Sequence, residues 1–93
     1  MTKEQALKVL EKCNFEFSNL TQLKNAYYYE ISEGFYTTFE VWLYKDSFEI
    51  RLFDSYYGKP FCLFEDYYTN ITLGYFEEVF KKCLKIYKLA ISL

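Results

Sequence analysis

The sequence predicts a two-layer α+β domain. A four-stranded antiparallel meander is flanked by an N-terminal and a C-terminal helix on one face, in the order α-β-β-β-β-α over residues 1–93. Three observations lead there. Helical periodicity is confined to the two ends of the chain, and aromatic and β-branched runs separated by turn signals fill the middle. The runs also pair in a register that collects apolar side chains on one face. With 93 residues, of which 24 % are aromatic, the chain makes one small domain whose large rings supply core volume.

Thr2 and Gln5 have the spacing of a capping box, and Ala6, Leu7, Val9, Leu10 and Cys13 follow near the helical period, so a helix is expected over residues 3–13. Asn14 is a plausible stop, because asparagine tolerates the left-handed backbone that ends helices. Residues 14–25, NFEFSNLTQLKN, are a mixed connector without an assigned element.

Four strands come next: AYYYEIS, FYTTFEVWLY, SFEIRLF and FCLFED. A three-residue loop at Ser32, Glu33 and Gly34 would pair Ile31 with Phe35, Tyr29 with Thr37 and Tyr27 with Phe39. A turn at Lys45 and Asp46 pairs Leu43 with Phe48, Val41 with Ile50 and Phe39 with Leu52, a uniformly apolar face. The same register sets Trp42 opposite Glu49, and Glu40 opposite Arg51, on the other face. DSYYGKP at 54–60 reads as a loop, with Gly58 and Pro60 as punctuation.

Thr72 is the expected cap of the last helix, in which Phe76, Val79, Phe80, Cys83, Leu84, Tyr87 and Ile91 form an apolar stripe. Glu77 to Lys81 and Glu78 to Lys82 are i,i+4 pairs on its wet side. If both helices cover the face of Phe39, Val41, Leu43, Phe48, Ile50 and Leu52, a second set of large side chains is left in view. Tyr28, Tyr36, Trp42, Tyr44 and Phe53 then lie among Glu30, Glu40, Glu49 and Arg51.

Chemistry is bounded mostly by what is missing. The chain has no histidine and three cysteines without a C-x-x-C spacing, which excludes the usual zinc sites and a disulfide framework. Cys13 and Cys83 fall on apolar helical positions, as small core residues do. Glu65 and Asp66 are neighbours in a strand and point to opposite faces, a poor acid–base pair, and no phosphate-cradling glycine loop is present. The expectation is therefore no enzyme and no cofactor. No run of 18 apolar residues could cross a membrane, and the start has no signal-peptide pattern, so the expected location is cytoplasmic.

An aromatic sheet face would suit stacking on single-stranded nucleic acid. Charge opposes it: residues 26–66 hold eight acids against three bases, a balance of −5 that repels phosphate. Lys81, Lys82, Lys85 and Lys88 lie late in a helix, where they suit its dipole. Tyrosine and tryptophan among carboxylates fit a protein interface instead, with Trp42 as an exposed anchor and Glu40 as rim charge steering a basic partner.

The expected partner-binding set is Tyr28, Glu30, Tyr36, Glu40, Trp42, Tyr44, Glu49, Arg51 and Phe53. Scarce Gly, Ala, Pro and Arg beside abundant Lys, Asn, Ile, Phe and Tyr is the bias of A/T-rich codons, common in mobile elements and phages. Together with size and acidity it suggests a small non-enzymatic protein-binding module. The expected role is inhibitor of a nucleic-acid-binding host factor, of the anti-CRISPR or another anti-defence type, acting in the host cytoplasm. The partner would be a protein with a basic surface, such as a nuclease or CRISPR effector, with no direct nucleic-acid or membrane contact. The alternatives are a homo-oligomer, including a homodimer, or a binder of a small ligand in an aromatic pocket.

Overall fold

The computed structural model describes residues 1–12, 19–23, 26–31, 37–54 and 58–92. The fold is α+β, an antiparallel sheet with two helices: α1 (Lys3–Lys12), β1 (Asn19–Leu23), β2 (Ala26–Ile31), β3 (Thr37–Tyr44), β4 (Ser47–Asp54), β5 (Lys59–Tyr67) and α2 (Leu73–Ile91). The strands lie side by side in chain order, each antiparallel to the next. The expected count of four strands is corrected to five among the described residues, because Asn19–Leu23 adds a strand beside β2. Its sequence, NLTQL, has leucines three apart and therefore shows no two-residue alternation to read.

Both helices begin as their caps dictate. The Thr2 N–H donates to Gln5 Oε1 at 2.9 Å and the Gln5 N–H donates back to Thr2 Oγ1 at 3.2 Å, a closed capping box. The Thr72 hydroxyl accepts from the Tyr75 N–H at 3.2 Å and fixes the start of α2. Along the wet side of α2, Lys81 reaches Glu77 at 3.1 Å and Lys82 reaches Glu78 at 3.3 Å. Cys13 and Asn14 lie outside the described residues.

The core forms where the alternation predicts it. Phe39, Val41 and Leu43 of β3 and Phe48 and Ile50 of β4 are buried under Ala6, Val9 and Leu10 of α1 and the Phe76, Val79, Phe80, Cys83, Leu84 and Tyr87 stripe of α2. Leu52 and Ile91, expected among them, are partly buried at the margin. Phe48 sits at the centre of a ring cluster, edge-on to Phe76 with centroids 4.8 Å apart and 5.5 Å from Phe64. Tyr68, past the end of β5, is buried as well, and its hydroxyl donates to the Tyr44 carbonyl at 3.1 Å.

Register follows expectation between β3 and β4 and departs from it between β2 and β3. Leu43 faces Phe48, Val41 faces Ile50 and Glu40 faces Arg51, as predicted. In the β2–β3 pair, however, Ile31 faces Phe39, Tyr29 faces Val41 and Tyr27 faces Leu43, a shift of four residues from the expected register. Pairing Phe39 with Ile31 overturns the three-residue hairpin, and Ser32, Glu33 and Gly34 themselves lie outside the described residues. An even shift keeps every side chain on its own face, so burial pattern alone does not oppose it.

Between β4 and β5 the expected loop is shorter. Gly58, in the left-handed region at φ 70°, donates its N–H to the Asp54 carbonyl at 2.8 Å, and the strand resumes at Lys59. Pro60 is thus inside β5, which tolerates it as the terminal strand of the sheet. A bulge follows: Ile50 faces Phe64 and Arg51 faces Cys62, which leaves Leu63 as the extra residue. Leu63 and Phe64 both pack against the core, and Cys62 is exposed.

Candidate functional site

The sheet face away from the helices carries the even-numbered residues of β3 and the odd-numbered residues of β4. Its centre is a connected assembly. Glu40 Oε1 accepts from Arg51 Nε at 2.9 Å and from Trp42 Nε1 at 3.2 Å. The Arg51 guanidinium lies over the Trp42 ring, 4.2 Å from its centroid, and Trp42 stacks on Tyr44 with centroids 6.2 Å apart at 18°. Arg51 also approaches Glu49 at 3.8 Å.

Two expectations change as a result. Glu40 is only 8 % exposed, so it is the buried hub of this assembly and not rim charge. Trp42 is half-buried by Arg51 and Tyr44, so it belongs to the fold as well as to the surface. Flat rings and a planar guanidinium stack on a sheet face and cover one another, which alternation of types does not reveal.

Of the other expected residues, Tyr44, Glu49, Arg51 and Phe53 are half-buried on this face. Backbone register puts Tyr28 opposite Trp42 and Glu30 opposite Glu40. Tyr36 lies outside the described residues.

At one end of the face the surface deepens into a cleft of about 320 Å³ lined by Tyr44, Ser47, Glu49, Glu65, Asp66, Tyr67 and Asn70, with Phe48 at its side. Glu49 and Glu65 are directly opposed across β4 and β5, an arrangement that destabilises a sheet by itself. Asp66 accepts from the Tyr67 N–H at 2.7 Å and from Asn70 Nδ2 at 2.8 Å, which holds its carboxylate at the cleft. Burial, and then the charge of Glu49, push the Tyr44 hydroxyl above its ordinary value, so it stays protonated and available as a donor.

Glu65, Asp66, Tyr67, Ser47 and Asn70 are absent from the expected set. Glu65 and Asp66 do point to opposite faces, as the strand dictates, but at the strand's end both reach one cleft. Only the register across the bulge brings Glu65 opposite Glu49.

Among the described residues, no group of three or more His, Cys, Asp or Glu side chains could hold a metal ion. No described helix is long and apolar enough to cross a membrane. No family model matches the chain, and no curated protein or solved structure shows significant similarity to it.

Proposed function

We propose that this chain is a non-enzymatic protein-binding module that docks its outer sheet face on a basic surface of another protein. The observation that carries the reading is the cleft, whose lining includes three carboxylates, Glu49, Glu65 and Asp66, and the rings of Tyr44 and Tyr67. Opposed carboxylates cost stability in the free protein and are relieved by an incoming cation. A lysine or arginine from the partner would enter between the rings, while the Arg51–Trp42–Tyr44 stack offers a firm flat surface beside it. Rigid rings lose little entropy on docking.

Surfaces rich in lysine and arginine are typical of proteins that neutralise phosphate, so the natural target is a nucleic-acid-binding protein, and occupation of its basic groove would inhibit it. The anti-defence role suggested by size, acidity and codon bias, with a nuclease or CRISPR effector as target, is one case of this mode.

A tagged chain should capture its partner from source-cell extract, and Glu49→Lys with Glu65→Lys should not. Titration of the pure chain should then displace nucleic acid from the captured partner. Capture indifferent to the double substitution, or a partner whose nucleic-acid affinity is unchanged, would defeat the proposal.

A further inference from the structure

Among the described residues β5 ends the sheet, and one row of its backbone donors and acceptors has no neighbouring strand there. Long edges of this kind invite pairing with another chain, and the Lys59, Pro60 and bulge of β5 restrict it to a strand that matches them. Residues 59–62 are exposed, with Phe61 at 60 %. An apolar flank of α2 accompanies the edge. Tyr75 stands edge-on to Phe64 of β5 at 6.1 Å, and Ile86 and Leu89, three and four turns further along, share its stripe. All three are exposed, Leu89 at 64 %.

We infer that a second copy of this chain occupies the β5 edge, antiparallel, about a two-fold axis at Cys62. A two-fold axis perpendicular to a sheet sets one rung against itself, and the facing of the side chains then fixes all other pairs. The bulge makes Leu63 and Phe64 one rung. Centred on Cys62, the pairing sets Phe61 against Leu63 and Phe64 of the second copy on the helix side. Lys59 meets Asp66 one step beyond Pro60, on the same side. Apolar groups meet apolar groups, and the cation meets an anion. Centring on the bulge instead would set Phe61 against Asp66, a mismatch, so charge and polarity select the Cys62 register.

This assembly shares Asp66 with the proposed docking cleft, does not depend on that docking, and would place the two acidic clefts on one continuous sheet. It brings the two exposed Cys62 thiols together across the axis, because directly opposed residues of antiparallel strands have Cα atoms roughly 4.5–5.5 Å apart, within disulfide reach.

Sedimentation equilibrium of the reduced full chain should show a dimer. Lys59→Asp should raise its dissociation constant tenfold or more, and adding Asp66→Lys to that variant should restore it. Diamide, which takes two electrons and two protons from the two thiols, should link the copies. Cys62→Ser should abolish the link and leave the non-covalent dimer intact. Circular dichroism confirms that each variant is folded. A monomer at all concentrations, a dimer indifferent to the charge reversal, or a link that survives Cys62→Ser would overturn the inference.

Discussion

Replacing Glu40 by alanine tests whether the polar assembly on the outer face is part of the fold. The carboxylate is 10 % exposed and its partner Arg51 19 %, measured over the side chains, so the pair lies nearer the buried than the surface case. Removing one member of a buried pair costs about 3–5 kcal/mol, and removing one of an exposed pair about 0–1. The loss of an acceptor for the Trp42 N–H acts in the same direction, moderated because water reaches a half-buried ring. A loss of about 2–4 kcal/mol follows for Glu40→Ala, which in a domain of this size lowers the melting temperature by about 10–25 °C.

Glu40→Gln keeps an acceptor for Trp42 and should lose about half as much. Urea unfolding followed by circular dichroism gives these values, and a cycle with Arg51→Met should return a coupling of about 1 kcal/mol or more. If Glu40→Ala lies within about 0.5 kcal/mol of wild type, or the cycle closes without coupling, the carboxylate is surface charge after all and the assembly does not organise the face.

Two further outcomes follow from the same geometry. Trp42→Ala should lower stability by about 1–3 kcal/mol, since a stacked, half-buried ring is lost, and tryptophan emission should be blue-shifted from free indole; full acrylamide access with an unchanged melting temperature would contradict this. Burial pushes the Cys83 thiol from its ordinary 9.0 up to about 11, so the folded state keeps a proton that the unfolded chain releases. The stability tied to that protonated thiol is complete below pH 9 and is lost as pH rises from about 9 to about 11. The stability difference between wild type and Cys83→Ala should therefore narrow over that window, and a constant difference would show that the thiol does not feel its burial.

Much of the framework is legible in the residues. Caps at Thr2 and Thr72, the α2 stripe and the β3–β4 register are local signals reinforced by one apolar face, and the structure has them where they were read. The β2–β3 register is not fixed by the pattern of residues, because a slip of four preserves facing and only turn chemistry could separate the two registers. β1 was invisible because five residues with little alternation become a strand only when β2 is there to pair with them. The outer sheet face was legible as a list of residue types and not as an arrangement. Its composition of rings and carboxylates gave the outer face, yet which carboxylate is buried depends on where one arginine lies, and the sequence holds a single arginine that can reach either Glu40 or Glu49.

The bulge explains why the cleft was missed and what it does for the protein. In PFCLFED, Phe61 and Leu63 share one parity and Phe64 the other, so a regular strand could not turn both Leu63 and Phe64 to the core. One extra residue at Leu63 lets both Leu63 and Phe64 turn to the core and moves the residues before it by one rung. Cys62 is thereby placed on the outer face opposite Arg51, with Phe61 on the helix side opposite Leu52. Beyond the bulge the rungs run regularly, so Glu65 meets Glu49 and Asp66 meets Phe48 at the mouth of the cleft. A single inserted position thus completes the core, assembles the acidic cleft at one end of β5 and presents an apolar, free-thiol edge at the other. A strand that only closed the sheet would need neither of the last two, so the proposed docking and the inferred pairing both draw on β5 more than on the tryptophan at the centre of the face.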